Sequence, residues 1–199
     1  MSLTKKFSTL AIALLIVSSI NLLADTYRIN GPKSWLGWTG KKVTGAHNGS
    51  VAIKSGYINV TGAQFKGSFA IDMKTIANDD IQDAKYKADL VKHLVGEEFF
   101  NVEKFPTATF EISKMEPYTD QWGATHKVFG KLTIKGVPGE INFPAKVVMN
   151  GNDFTASAEF ILDRTKWGLK YGSGSFFDNL GDKAIEDNMK FNVNLVGAK

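Results

Sequence analysis

No cysteine occurs among the 199 residues, so the chain forms no disulfide and offers no site for the acylated cysteine of a lipoprotein. Its stability has to come from a packed core. Also missing is an apolar run long enough for a permanent membrane span, which takes about 20 residues. An excess of charge of one sign is missing too: 24 Lys and Arg stand against 20 Asp and Glu. No group of basic residues is dense enough to form a nucleic-acid footprint. Internal repeats and low-complexity linkers are absent as well.

The first residues form a unit of their own. Lys5 and Lys6 precede an apolar stretch from Leu10 to Val17 that ends in the small residues Ser18, Ser19 and Ala24. A basic start, a short apolar middle and a small-residue end predict an export signal over residues 1–24, cut after Ala24. Leu22, three positions before that cut, departs from the usual small residue, and a retained N-terminal anchor is the alternative. Removing the signal leaves the 175 residues from Asp25 to Lys199, with 22 basic against 20 acidic residues. That length predicts one domain with a core of its own and no stable membrane span after processing.

What is present is alternation. Phe154, Ala156, Ala158, Phe160 and Leu162 alternate with a mostly polar set, as a strand with one buried face requires. The same period runs through Val128, Gly130, Leu132 and Ile134, through Ile141, Phe143, Ala145 and Val147, and through Phe191, Val193 and Leu195. Turn signals stand at Ser55-Gly56, Thr61-Gly62, Gly136-Val137-Pro138-Gly139 and Asn150-Gly151, which predicts successive antiparallel hairpins. Only the break from Asp79 to Gly96 is long enough for a helix. There Tyr86, Leu90, Val91 and Leu94 recur at helical spacing and Gly96 supplies a stop. Many strands and one covering helix favour a closed antiparallel barrel, because closure removes exposed edges.

Signs of chemistry are sparse. His47, His93 and His126 do not converge in sequence, and the single helical pair His93 and Glu97 lacks the third ligand of a catalytic zinc site. Gly172-Ser173-Gly174-Ser175 is a turn by composition, not a nucleophile elbow. The neighbouring carboxylates Asp79-Asp80 and Glu97-Glu98 suit solvated helix ends better than an acid–base pair. The inward stripes are rich in aromatics: Trp38, Phe69, Phe110, Phe143, Phe160 and Phe191. A barrel of about eight strands either fills with such side chains or keeps room for one small ligand, and periodicity does not choose.

Five ordered blocks carry a resemblance. They are Ile71-Asp72-Met73 followed by Ile76; Lys92-His93-Leu94 with Glu98-Phe99-Phe100; the run from Lys104 to Phe110; the run from Gly130 to Val137; and the run from Asp163 to Gly168. With them the chain resembles the YceI-like family over essentially its whole length after the signal. The resemblance implies an all-β, elongated, lipocalin-like barrel of eight antiparallel strands, partly closed by the helical segment near residues 79–96. It implies a hydrophobic tunnel for a polyisoprenoid or another long-chain amphiphile such as an acyl lipid, location in the periplasm or outside the cell, no catalysis and no cofactor. A homodimer is a further expectation from the family. Matching apolar positions assign Trp38, Phe69, Met73, Leu94, Phe99 and Phe100 to the tunnel wall, together with Phe110, Leu132, Phe143, Phe160 and Trp167.

Many relatives carry a histidine at the end of the first long strand, where alignment through Ser34, Leu36, Trp38 and Gly40 places Lys42. A lysine there meets a phosphate or carboxylate as a point charge but does not copy imidazole chemistry. Arg164 is the second head-group candidate, with a structural pair to Asp163 or another carboxylate as the alternative. The leading expectation is therefore a carrier, store or scavenger of isoprenoid-tailed or acyl lipids, quinones included. An enzyme acting on such a lipid and a filled-barrel stress protein are the two rivals.

Overall fold

The computed structural model describes residues 24–199; the export signal predicted over 1–24 lies outside the described residues, Ala24 excepted. In chain order the elements are β1 (Asp25–Ile29), β2 (Trp35–Lys42), β3 (Gly45–Thr61), β4 (Gln64–Asn78), α1 (Ala84–Val95), β5 (Thr107–Pro117), β6 (His126–Ile134), β7 (Val137–Asn150), β8 (Asp153–Asp163) and β9 (Asn188–Ala198). Every strand pairing between them is antiparallel. From β2 to β9 each strand pairs with the next, and β9 returns to β2, so the ring closes with eight strand positions.

The short β1 does not add a ninth position. It pairs with β3 at Tyr57–Val60 and with β9 at Gly197 and Ala198, below the stretch where β2 occupies the same slot. The two are one strand broken by a single turn of 3-10 helix over Gly31–Lys33. Pro32 lacks the N–H a ladder needs, and the Asn30 side chain caps the turn on Lys33 N at 3.2 Å. Ser34 then repairs the gap, donating to Asn30 O at 2.8 Å and accepting from Val196 N at 3.0 Å.

The inward stripes read from the alternation face the barrel interior. Local exceptions have local causes. Ser55-Gly56 is not a turn; it lies inside β3, beside a register shift between Ile53 and Ser55. Glycine is needed there for closeness, since a Cβ on Gly56 would stand 2.7 Å from the Phe69 ring. In the 136–139 signal only Gly136 belongs to the turn, together with Lys135 at φ 52° and 76° for the pair, while Pro138 and Gly139 continue β7. A shift between Ile112 and Lys114 changes the phase of β5, which keeps Met115 buried alongside Ala108, Phe110 and Ile112.

The helix starts later than the sequence predicts. Asp83 caps it, accepting from Lys85 N at 2.9 Å and Tyr86 N at 3.0 Å. Residues 79–82 belong instead to a turn built on Asn78, which is fully buried and accepts from Ile81 N at 3.0 Å. The packed face is also narrower than predicted: Tyr86 is exposed, and Leu90, Leu94 and Val95 make the contact with the core. Only the C-terminal half of α1 lies over the barrel rim, so only that half has a wall to pack against.

The connections divide the molecule into two ends. At one, the hairpin end, the chain turns at 62–63, 118–125 and 151–152. At the other, the helix end, it turns at 43–44 and 135–136 and makes two long excursions, 79–106 with α1 and 164–187.

Candidate functional site

Inside the ring lies a cavity of about 180 Å³. A buried water needs only about 10–15 Å³ of such space, so the interior is not packed solid. Its wall joins two clusters of buried side chains, one reaching the hairpin end through Ile58 and Phe154 and one at the helix end around Met73 and Leu94. Apart from the Trp38 and Trp167 indoles, the polar residues on it among the described residues are Arg164 and Ser157, the latter exposed to solvent on the outer face of β8. Such a space favours apolar occupants.

An aromatic belt crosses the wall at mid-height. Phe69 on β4 stacks with Phe110 on β5 at 6.3 Å between ring centroids, and Phe110 meets Phe143 on β7 at 5.7 Å. Phe143 stacks on Phe160 of β8 at 4.3 Å, and Phe160 on Phe191 of β9 at 5.8 Å. Phe191 is in register with Trp38 on β2. Between Phe110 and Phe143 the belt passes over β6 at Gly130, where a Cβ would come within 2.6 Å of the Phe110 ring. A side chain there would break the belt.

Ten of the eleven residues assigned to the tunnel from the sequence line this cavity: Trp38, Phe69, Met73, Leu94, Phe100, Phe110, Leu132, Phe143, Phe160 and Trp167. Phe99 does not. It follows α1 in a tight turn and packs between His93 at 5.4 Å, Phe100 at 5.6 Å and Tyr171 at 6.3 Å, with the Arg164 guanidinium over its ring at 5.8 Å. It therefore fastens the α1 excursion to the 164–187 excursion. Met115, Phe154, Leu169 and Met189 line the wall without having been assigned to it. Phe154 was legible from its stripe, whereas Met115 is hidden by the phase change in β5 and Leu169 lies in a segment without alternation.

Neither head-group candidate stands free at the cavity. Lys42 is exposed at the end of β2, bridged to Ile185 and outside the wall. Arg164 does reach the wall, but its donors are taken. Nε donates to Glu186 O, Nη1 to Leu169 O and Tyr171 O, and Nη2 to Ile185 O and Asp187 Oδ1. These are all five N–H groups a guanidinium has. The structural alternative holds, with Asp187 as the paired carboxylate at 3.5 Å; Asp163 instead caps the following turn through Thr165 N.

Burial pulls the Arg164 pKa below its ordinary value, against the opposing charges of Asp187 and Asp163. Burial works to raise the pKa of Asp187, but the hydroxyls of Ser173 and Ser175 and the charge of Arg164 outweigh it and leave it below the usual carboxylate value. The Gly172–Ser175 segment is a turn, as predicted, and Ser175 Oγ donates to Asp187 at 2.6 Å.

The three histidines stay apart. His47 bonds Asp80 on the rim at 2.9 Å. Asp80 lies below its ordinary pKa because, against the effect of burial, it is bonded by His47, Asn48 N and Asn78. His93 belongs to the aromatic contact around Phe99 and Tyr171. His126 bonds Thr125 Oγ1 at 2.9 Å near the hairpin end, and burial lowers its pKa. Among the described residues no three His, Asp or Glu side chains gather in a metal-binding group.

Comparison with known proteins places this geometry. A family model described as a YceI-like domain matches residues 27–197. A UPF0312 protein of Yersinia pestis (strain Pestoides F) is 36% identical over 97 residues, which are 45% of this chain and 48% of that protein. The match thus spans about half the length of the curated relatives. Among solved structures, Burkholderia cenocepacia BcnA is similar with a TM-score of 0.61 and 22% identity, over 84% of this chain and 98% of that one. A polyisoprenoid binding domain from Saccharophagus degradans, implicated in plant cell wall breakdown, is similar with a TM-score of 0.59 and 14% identity, over 86% and 97%. At such identities the likeness shows the fold.

Proposed function

Since this chain belongs to the YceI-like family, we propose that its barrel holds a long isoprenoid or other apolar chain, outside the cytoplasm, and performs no reaction on it. The observation that carries this reading is the cavity, whose wall is aromatic and aliphatic around its full circumference. The isoprenoid part is supported by the relative from Saccharophagus degradans described as a polyisoprenoid binding domain. Export rests on the residues before Asp25, and a single domain over 25–199 on the length of that stretch.

Affinity needs no reactive group. Burying each methylene contributes about 0.8 kcal/mol, so ten contribute about 8 kcal/mol gross. Immobilising a flexible chain takes back part of this and limits discrimination between chains of equal length. Loose specificity suits a carrier, store or scavenger. The wall itself supports binding over catalysis, because among the described residues no histidine or carboxylate stands on it.

The test is direct. The mature protein is purified, extracted with organic solvent, and the extract identified by mass spectrometry. A stoichiometric isoprenoid or acyl chain is the expected result, together with loss of lipid in an Ala158→Phe variant that plugs the cavity at the belt. Repeated absence of lipid, with no uptake of a fluorescent fatty chain, would overturn the reading in favour of a barrel with a structural role.

A further inference from the structure

Three exposed apolar side chains at the helix end come from two segments that lie side by side. Val43, 70% exposed, stands in the β2–β3 turn, and Phe176 and Phe177, 48% and 51% exposed, stand in the 164–187 excursion. Lys42 pairs with Ile185 in a single β-bridge, and Ile185 pairs in the same way with Ser173. Ser173 O then accepts from the backbone N–H of Phe176 at 3.1 Å and of Phe177 at 3.0 Å. The three side chains thus belong to one bonded surface at the barrel rim, and none of them lines the cavity.

Apolar groups gathered in the open mark a contact with a protein or a membrane, and the charges around them choose between the two. Lys170 Nζ lies 4.3 Å from the centre of the Phe176 ring, and Lys41 and Lys42 immediately precede Val43. Among the described residues none of these three ammonium groups is within ion-pair distance of a carboxylate. On the two segments together, the exposed Lys41, Lys42, Lys166, Lys170 and Lys183 stand against the exposed Asp178, Asp182 and Glu186. Arg164 and Asp187 cancel in their buried pair, so lysine is in excess. Across the β2–β3 turn, Asp80 is already bonded by His47 and Asn78, and Asp83 by the backbone of α1.

We propose that this surface docks on an anionic lipid bilayer, with Val43, Phe176 and Phe177 entering the boundary of the acyl chains while Lys41, Lys42 and Lys170 meet lipid phosphates. The placing of Lys170 suits both halves of the contact, since a lysine stem lies along an apolar group while its ammonium stays at the polar level. A second copy of the chain would set the same excess of lysine against itself. A bilayer yields around separate apolar tips, whereas a folded partner would need a hollow for each. The inference goes beyond the lipid-binding reading and does not depend on it: the cavity concerns what the protein holds, and this surface concerns where it sits.

The experiment floats the mature protein with vesicles of phosphatidylcholine alone and of equal parts phosphatidylcholine and phosphatidylglycerol. Binding is expected to the mixed vesicles, to fall as salt is added, and to be weak on phosphatidylcholine alone. Phe176→Ser combined with Phe177→Ser is expected to weaken it at least about tenfold, and Lys41→Gln and Lys42→Gln about fivefold each. Trp122→Ser, which removes an indole 80% exposed at the hairpin end, is expected to change nothing. No binding to the mixed vesicles, equal binding to both kinds, or a loss caused by Trp122→Ser would each overturn the inference. So would a dimer in sedimentation that the paired phenylalanine substitutions dissolve, which would give the surface to a second copy. Should the paired variant not fold, hydrogen exchange on the wild-type protein decides alone: the amides of 43–44 and 174–177 gain protection on the mixed vesicles if the inference holds, and none if it fails. Solvent extraction tests the cavity separately, so either reading can fail while the other stands.

Discussion

At the hairpin end the chain reverses within two tight turns and one loop of eight residues, and closure depends on small contacts such as the Tyr27 hydroxyl donating to Gly151 O at 3.2 Å. At the helix end two long excursions fold across the rim and are held by a buried charge, with the Arg164 guanidinium bonded to four backbone carbonyls and a carboxylate. The difference teaches where each end keeps its specificity. Tight turns fix their geometry through a few local backbone angles, so they need little help from distant residues. Long excursions lose much conformational freedom on ordering, and a side chain that bonds several separate carbonyls at once selects one path among many.

Replacing the Arg164 hub is the most severe way to break this contrast. Arg164→Met removes the shared donor and leaves buried carbonyls unpaired, an expected loss of about 3–5 kcal/mol in urea unfolding. Hydrogen exchange in the same variant should rise over 164–187 and in α1 while the amides of β7 and β8 that pair at the hairpin end, 146–150 with 153–157, stay protected. Equal loosening at both ends would show that the hub does not act locally.

A smaller effect is expected from its carboxylate. Asp187 has a lowered pKa in the folded protein, so the stability it contributes is present above the ordinary carboxylate pKa of about 3.9 and lost as pH falls through its folded value. Asp187→Asn should therefore flatten the acid limb of the stability curve below about pH 4, without removing the Asp80 contribution that arises the same way. Unfolding midpoints measured from neutral to acid pH check this, and an unchanged acid limb would contradict it. The smallest effect belongs to the other end. Tyr27→Phe gives up one hydrogen bond and should cost about 0.5–1.5 kcal/mol, with lipid content unchanged in the extraction assay.

Much of the barrel was legible because the period of two is a direct projection of one buried face. The stripes of β6, β7, β8 and β9 follow from it, and so does nearly all of the aromatic belt. The remainder failed for identifiable reasons. Gly56 signals a turn in sequence, yet it serves a close approach to Phe69, and the two uses of glycine look alike without coordinates. Phe99 sits in an irregular segment where no period says which way a side chain faces, so an aromatic of the clasp was assigned to the wall. Arg164 looked available as a head-group contact because a sequence does not show which carbonyls surround a guanidinium.

The seam between β2 and β9 has a consequence for how the barrel forms. Trp35 pairs with Asn194 and Trp38 with Phe191, residues from nearly opposite ends of the chain. Such a contact has very high sequence separation, which slows the search for the native topology. A chain that has delivered everything except its last strand is therefore not a smaller barrel. It is an open sheet whose β2 and β8 edges both lack partners, with its apolar face uncovered and liable to join the wrong neighbour.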